Sequence, residues 1–357
     1  MNYFKLGCNF DEKLITGIKE LNEEFPSDII SEVYGSDRDH HQLTARPWFR
    51  LQDIDKKKFE KYVKSLLDLG VWFNYTANST LPYITKEALH DNKNQIQDFV
   101  KFLSSIGVKR ITIANPLLLE IIREVSDIEI EISTCMHIDA VSQIKYYHET
   151  YNVNKVCCNI LKNRNFKFLS QAAKYCNDNG VIFEVMLNEF CGVGGNGYAT
   201  HCVYRDSCYN YHASNTSKED ALLFDNYPMN RCMCARDSDL ENWLRMRFVR
   251  PEDLDVYNKF GVNHFKISGR TGATDYLLSV ARDYMSHSHE GNLISLWKPL
   301  ESIYDESFTG SKLFIDNKKL DGFIDHWANN LNFNCDNEIC GETCTYCHDF
   351  YSKVIGG

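Results

Sequence analysis

Ile128-Glu-Ile-Glu-Ile-Ser-Thr134, Lys155-Val-Cys-Cys-Asn-Ile160 and Val181-Ile-Phe-Glu-Val-Met-Leu-Asn188 are three short, strand-like runs of the chain. The first alternates strictly, as a β-strand with two unlike faces does. Between them lie two helical periods, Asp139–Thr150 and Phe166–Asp178, the second closed by Gly180. Strand, helix, strand, helix, strand is the grammar of parallel βαβ units. The same rhythm extends in both directions. Upstream, strands are expected at Tyr3–Cys8, Ile29–Gly35, Val71–Thr76 and Arg110–Asn115. The helices between them carry apolar stripes such as Leu14, Ile18 and Leu21, or Phe59, Val63 and Leu66, and Pro116 stands where a first helical turn accepts proline. Downstream, after a break, come a helix at Pro251–Phe260, an eighth strand at Val262–Ser268 and a helix at Asp275–Ser286. Eight alternations are the count of a (β/α)8 barrel. An open doubly wound sheet has the same periodicity and is the competing reading. The expected organisation is a barrel over residues 1–288, interrupted by a Cys-rich insertion at 189–245, and a C-terminal extension over 289–357.

Composition narrows the function classes. With 25% charged and 43% hydrophobic residues the chain of 357 residues is that of a globular protein. Acids outnumber bases 49 to 39, so bulk nucleic-acid binding is disfavoured, while a local basic pocket stays open. No apolar run reaches the ~18–20 residues that span a bilayer. The start MNYFKLGCNFDEK has no basic region followed by an apolar core, which points to the cytoplasm. Fourteen cysteines in a reducing compartment are not a disulfide framework, and the question becomes which of them bind metal.

Two groups stand out. Cys191, Cys202, Cys208, Cys232 and Cys234 share one polar, glycine-rich stretch with little core to occupy. Soft thiolates gathered in this way suit iron–sulfur or zinc. Cys335, Cys340, Cys344 and Cys347 fall within thirteen residues, a second metal signal, for an iron–sulfur cluster or zinc. The core of this group has the C-x3-C-x2-C form of a radical SAM motif, but it ends the chain instead of opening the barrel, so a SAM radical reaction is not indicated. Cys157, Cys158 and Cys176 fit core positions, and Cys8 and Cys135 fall at strand ends. Gly192 to Gly197 spells G-x-G-x-x-G without a helix to follow it, and reads as loop.

In a barrel, function gathers at the C-terminal ends of the strands. The ends at Thr134, Asn188 and Ser268 are therefore expected to converge on one cavity facing the insertion. Arg46, Arg250, Lys266 and Arg270 are the cations expected near an anionic substrate, because guanidinium forks match carboxylates. Surface ion pairing is the ordinary alternative, least so for Arg270 at a strand end. His137 and His212 are the acid–base candidates, with a structural role as the alternative for each.

Asn188-Glu189-x-Cys191, His201-Cys202-x-Tyr204-Arg205 and His212, followed by the run from Arg247 to Arg270 (RFVRPEDLDVYNKFGVNHFKISGR), carry a resemblance. They resemble the peptidase U32 (collagenase-like) family, in which R-P-E-D-L and K-I-x-G-R signatures recur; Ile132-Ser-Thr134 is similar to a further family segment. The resemblance implies a barrel-like fold and a [4Fe–4S] cluster on four cysteines, here Cys191, Cys202, Cys208 and either Cys232 or Cys234. It also implies oxygen-independent hydroxylation of an RNA base, a quinone precursor or a peptide-like substrate, with prephenate as a hydroxyl donor. A homologous or electron-transfer protein would be the partner. The chain departs from the family in a longer spacing between its first two cysteines and in Ser268, where an acidic residue is common. The alternatives are a U32-type peptidase, although no protease motif is present, and a noncatalytic cluster-carrying subunit.

Overall fold

The computed structural model describes residues 1–83, 85–188, 241–270, 272–297 and 314–354. Cys191, Cys202, Cys208, His212, Cys232 and Cys234 lie outside the described residues. Eight strands close into a barrel in simple sequence order: β1 (Asn2–Gly7), β2 (Asp28–Gly35), β3 (Trp72–Ala77), β4 (Arg110–Ile113), β5 (Glu129–Ile132), β6 (Lys155–Cys157), β7 (Ile182–Met186) and β8 (His264–Ile267). Every neighbouring pair is parallel, including β1 with β8, so the chain forms a TIM barrel and not the open sheet.

The helices between strands are α1 (Glu12–Glu24), α2 (Lys56–Asp68), α3 (Lys86–Asp91), α4 (Lys93–Ser105), α5 (Pro116–Arg123), α6 (Val141–Tyr151) and α7 (Phe166–Asp178). After the insertion come α8 (Asn242–Arg245), α9 (Leu254–Lys259) and α10 (Thr274–Met285). Their starts are written in the sequence. The Asp11 and Asp55 carboxylates accept from the Lys13 and Lys58 amides, and the Asn115 side chain accepts from the Leu118 amide ahead of Pro116. Each cap satisfies a backbone donor that has no partner within the helix, worth about 1 kcal/mol.

Alternation along the strands sorts side chains into two populations. Lys5 on β1 reaches across the barrel to Glu131 on β5, so both point inward. Phe4, Leu6, Ile130 and Ile132, one residue away, therefore face outward, where they are fully buried beneath the helices. Barrel interiors are commonly filled by branched apolar side chains. Here the inward positions include Lys5, Glu32, Asn74, Thr112, Glu131, Lys155, Glu184 and Lys266, all buried.

The extension is docked by aromatic contacts. Phe248, between α8 and α9, packs on Trp297 at 5.3 Å and Phe323 at 6.1 Å, and Trp243 stacks on Trp297 at 6.0 Å. α11 (Asp325–Ala328) carries Trp327 into this cluster, and α12 (Tyr346–Val354) places Tyr346 and Phe350 against Phe323.

Two glycines set the position of Arg270 at the barrel mouth. A Cβ on Gly7 would lie 2.5 Å from the Arg270 backbone nitrogen, and Gly269 adopts φ of 125°, which residues with a Cβ avoid. Gly7→Ala is expected to lower stability by about 1–3 kcal/mol, since the obstacle is backbone and cannot rotate away. A shift in the urea midpoint measures it. An unchanged midpoint would mean that β1 and the 269–270 turn are not held in contact.

Candidate functional site

Loops after β2, β3, β5 and β8 build a cavity of about 50 Å³ at the C-terminal mouth, lined by Tyr34, Arg46, Thr76, Asn78, Thr134, Cys135, Met186, Lys266, Ser268 and Arg270 among others. Thr134 and Ser268 thus meet there as expected from the sequence. Asn188 joins them from β7: its side-chain oxygen accepts from the Ser268 amide at 2.6 Å, and its amide donates to the Leu296 carbonyl at 2.9 Å. The chain departs toward the insertion from this point.

Three of the four expected cations are assembled at this mouth. Arg270 is only 7% exposed, and its guanidinium donates to Ser36 Oγ at 3.2 Å and Thr44 Oγ1 at 2.8 Å. Both acceptors are neutral, and among the described residues Arg270 has no carboxylate partner. Burial, and then the Arg46 charge, push its pKa down to about 10, a measure of how poorly its charge is compensated. Lys266 rises from β8 with its ammonium 4.4 Å from the centre of the Tyr34 ring. The lining includes no aspartate or glutamate among the described residues. A low-dielectric pocket with three cations and neutral acceptors is suited to an anion, above all to a carboxylate that can take a guanidinium fork.

Arg250 is elsewhere. It is buried and pairs with Asp253 at 2.9 Å and Asp321 at 3.1 Å, and it donates to the Asn317 carbonyl at 2.6 Å. Its charge joins the strand-eight approach to the extension, so the geometry gives it a structural role and does not bring it to the cavity. His137 ends the turn after β5 in a left-handed conformation, φ 52°, and does not line the cavity. Cys135 lies in the lining, 3.6 Å from the Asn78 amide nitrogen. Cys158 and Cys176 are fully buried, as core packing requires, and so are Cys157 and Cys8, whose thiols burial pushes up to about 12.

Below the mouth lies a charge cage that sequence reasoning passed over. Lys5 contacts Glu131 and, at 2.7 Å, Glu184; Lys155 contacts Glu184 at 2.5 Å and Glu32 at 2.9 Å; Arg110 holds Glu32 at 2.6 Å and also Glu129. Asn74 donates to Glu131 at 2.8 Å and accepts from Thr112 at 2.7 Å. Burial disfavours the charge of Glu32, but Lys155, Arg110 and Lys5 outweigh it and hold the carboxyl well below its ordinary range. Ligand atoms of Glu131, Cys157 and Glu184 lie within 4.8 Å of one another, close enough for a metal ion. The ammonium groups of Lys5 and Lys155 already fill the cationic role there, which favours an ion-pair cage. The signal was present in the strands: E-I-E-I puts a charge at every second position, and I-F-E-V-M and H-F-K-I each set a charged residue among apolar ones.

The tail cysteines form a separate assembly. Cys335, Cys340, Cys344 and Cys347 line one small cavity together with Arg245, Arg247, Trp327 and His348. The spacing alone indicated the four cysteines; it gave no hint of the arginines, which come from distant segments.

No protein-family model matches the chain. It is 25% identical to the "uncharacterized protease MJ1657" of Methanocaldococcus jannaschii over 256 residues, 71% of this chain and 68% of that protein. Among solved structures, that of the U32 peptidase Mk0906 aligns with 75% of this chain and 93% of its own, at 14% identity and a TM-score of 0.47. The chain is thus similar, across more than two thirds of both chains, to a protease-named archaeal protein.

Proposed function

We propose that the chain is an iron–sulfur enzyme of the U32 type that modifies its substrate without oxygen and binds a carboxylate-bearing small molecule, such as prephenate, at the barrel mouth. The observation that carries this reading is Arg270: a guanidinium buried at the cavity without a carboxylate partner among the described residues, beside Arg46 and Lys266. An unpaired buried cation is costly, and a bound anion removes that cost. Ser36 and Thr44 fix the fork, and Ser36 is itself anchored by donating to the Thr76 carbonyl at 2.9 Å. The site is thus oriented before the ligand arrives, which limits the entropy lost on binding.

Cys191, Cys202, Cys208 and Cys232 or Cys234 would hold a [4Fe–4S] cluster, and Asn188 starts their segment from the mouth. When bound, the cluster would supply redox or Lewis-acid chemistry. The residues of the barrel would bind the carboxylate through Arg270 and Arg46, place its remainder against Met186 and Tyr34, and limit water through the narrow mouth. His212 remains the proposed acid–base group of the insertion, and His137 could serve only from outside the cavity lining.

Peptide hydrolysis is the other reading, favoured by the name of the archaeal relative. Cys135 is the one thiol among the described lining residues, but no histidine or carboxylate lines the cavity beside it to act as its base. Iron and sulfide per chain, measured after anaerobic purification of wild type, Cys191→Ala and Cys202→Ala, separate these readings. Loss of about four iron atoms in each variant is expected. Unchanged iron together with cleavage of peptide substrates that is lost in Cys135→Ala would favour the peptidase.

A further inference from the structure

The geometry points to a second iron–sulfur centre at the C-terminal extension, a [4Fe–4S] cluster held by Cys335, Cys340, Cys344 and Cys347 and charge-balanced by Arg164 and Arg247. This site is separate from the barrel mouth and does not rest on the function proposed for it.

Three observations converge. First, the four cysteines line one cavity as partly buried free thiols, with Cys335 and Cys347 packed at the edge of the core. A tight turn brings them together: the Gly341 amide donates to the Cys344 carbonyl at 2.9 Å, and Cys347 sits in the first turn of α12.

Second, two buried cations from other parts of the chain face them. Arg247 lines the cavity at 6% exposure, and its guanidinium donates to the Arg245 carbonyl at 2.5 Å. Arg164, in the loop after β6, is 2% exposed and stacks over the Trp327 ring at 4.5 Å, while the Trp327 indole N–H donates to Cys335 Sγ at 3.1 Å. Arg164 donates once, to the Leu244 carbonyl at 2.8 Å, and its Nε and Nη2 are buried without a partner. Neither arginine pairs with a carboxylate among the described residues. Two like charges buried near each other are unfavourable unless an anion lies between or beside them. Four thiolates around a metal centre of charge +2 carry a net charge of −2, which the guanidinium groups of Arg164 and Arg247 offset, while Arg245, also in the lining, is paired with Glu241 at 2.8 Å.

Third, the sulfurs are not gathered at the spacing of a single zinc ion. Tetrahedral zinc with Zn–S bonds of about 2.3 Å holds its sulfurs about 3.8 Å from one another. Among the described residues, no three of the tail sulfurs lie within 4.8 Å of one another. A cuboidal cluster takes each thiolate on a different iron and needs this wider spacing. With a cysteine for every iron, no iron is left open for substrate, so the centre would stabilise the fold or carry electrons. Asn163 links it toward the mouth, because its amide donates both to the Arg247 carbonyl at 2.9 Å and to the carbonyl of the cavity residue Met186 at 2.7 Å.

The test uses the full chain, purified anaerobically. In a Cys191→Ala/Cys202→Ala background, in which the insertion is expected to hold no cluster, iron, sulfide and zinc per chain are compared with and without Cys344→Ser/Cys347→Ser. Loss of about four iron atoms with the tail substitutions, and of the corresponding Mössbauer signal, is expected. Loss of about one zinc with iron unchanged would overturn the iron–sulfur assignment; no change in either metal would overturn the site itself. Arg164→Gln provides a variant that leaves every ligand in place. It should retain iron but make the centre harder to reduce, visible as a smaller electron paramagnetic resonance signal at a fixed dithionite concentration, whereas Arg247→Lys, which keeps its charge, should stay close to wild type. A signal in Arg164→Gln identical to wild type would remove Arg164 from the site.

Discussion

Lys155→Met is expected to cost the barrel about 3–5 kcal/mol, the range for removing one partner from a buried ionic network. Against a typical total of about 5–15 kcal/mol this is a large share. The reason is that Lys155 contacts two carboxylates at once, Glu184 at 2.5 Å and Glu32 at 2.9 Å, with Glu131 at 3.9 Å, in a layer that water does not reach. Lys5 and Arg110 remain, with Lys266 acting on Glu184 from the mouth, but among the described residues only Lys155 bridges Glu184 and Glu32 directly. The effect depends on pH with a definite sign. The carboxyl of Glu32 is depressed below its ordinary 4.5, so its contribution is present above that pH and is lost as the pH falls toward the folded-state value. The deficit of the variant is therefore largest near neutrality and narrows in acid, as wild type loses the same interaction. Lys5, raised against its burial by Glu131 and Glu184, contributes until the pH climbs above the ordinary lysine range. Urea unfolding at pH 7 and at about pH 3 measures the deficit and its narrowing in acid. A loss below about 1 kcal/mol at pH 7 would show that the cage contributes little.

Arg270→Gln is expected to weaken carboxylate binding about 10–150-fold, the equivalent of the ~1.5–3 kcal/mol carried by hydrogen bonds to charged groups. Glutamine can still donate to Ser36 or Thr44, so the mouth should keep its shape while losing its charge. Stability is expected to hold or rise slightly, because an uncompensated buried cation is removed. That opposition, weaker binding without weaker folding, separates a ligand-directed residue from a structural one. Isothermal titration of the anaerobic protein and the urea midpoint report the two quantities. Arg250→Gln should do the reverse, since Arg250 is already engaged with Asp253 and Asp321 and lies away from the cavity.

The barrel was legible because its helices carry stripes at 3.6-residue spacing and its strands are short and regularly placed. β5 shows both what periodicity reveals and what it conceals. The alternation Glu129-Ile-Glu-Ile132 identified a strand with two faces, and the ordinary expectation for such a strand puts the apolar face in the core and the charged face in water. In a closed barrel both faces are interior, so Glu131 is fully buried against Lys5. Recognising that all eight strands place polar residues at equivalent positions would have revealed the cage. Arg270 was correctly placed at the mouth because strand ends can be counted along a chain. Arg250 was a candidate for which ion pairing was a stronger alternative than for Arg270, and the folded extension, through Asn317 and Asp321, shows that its charge is satisfied. Arg164 and Arg247 could not be linked to Cys335–Cys347 by any local pattern, since they come together through the docking of Trp327. The insertion's five cysteines and His212 lie outside the described residues, so their grouping rests on spacing and on the U32 resemblance.

The mouth as an anionic-substrate site is most directly tested by crystals of the anaerobically purified chain grown with prephenate. The account requires a carboxylate of the ligand within hydrogen-bond distance of the Arg270 guanidinium, with Arg46 or Lys266 as a second cationic contact. Prephenate bound elsewhere, or a mouth in which Arg270 is paired with a carboxylate of the protein itself, would contradict it.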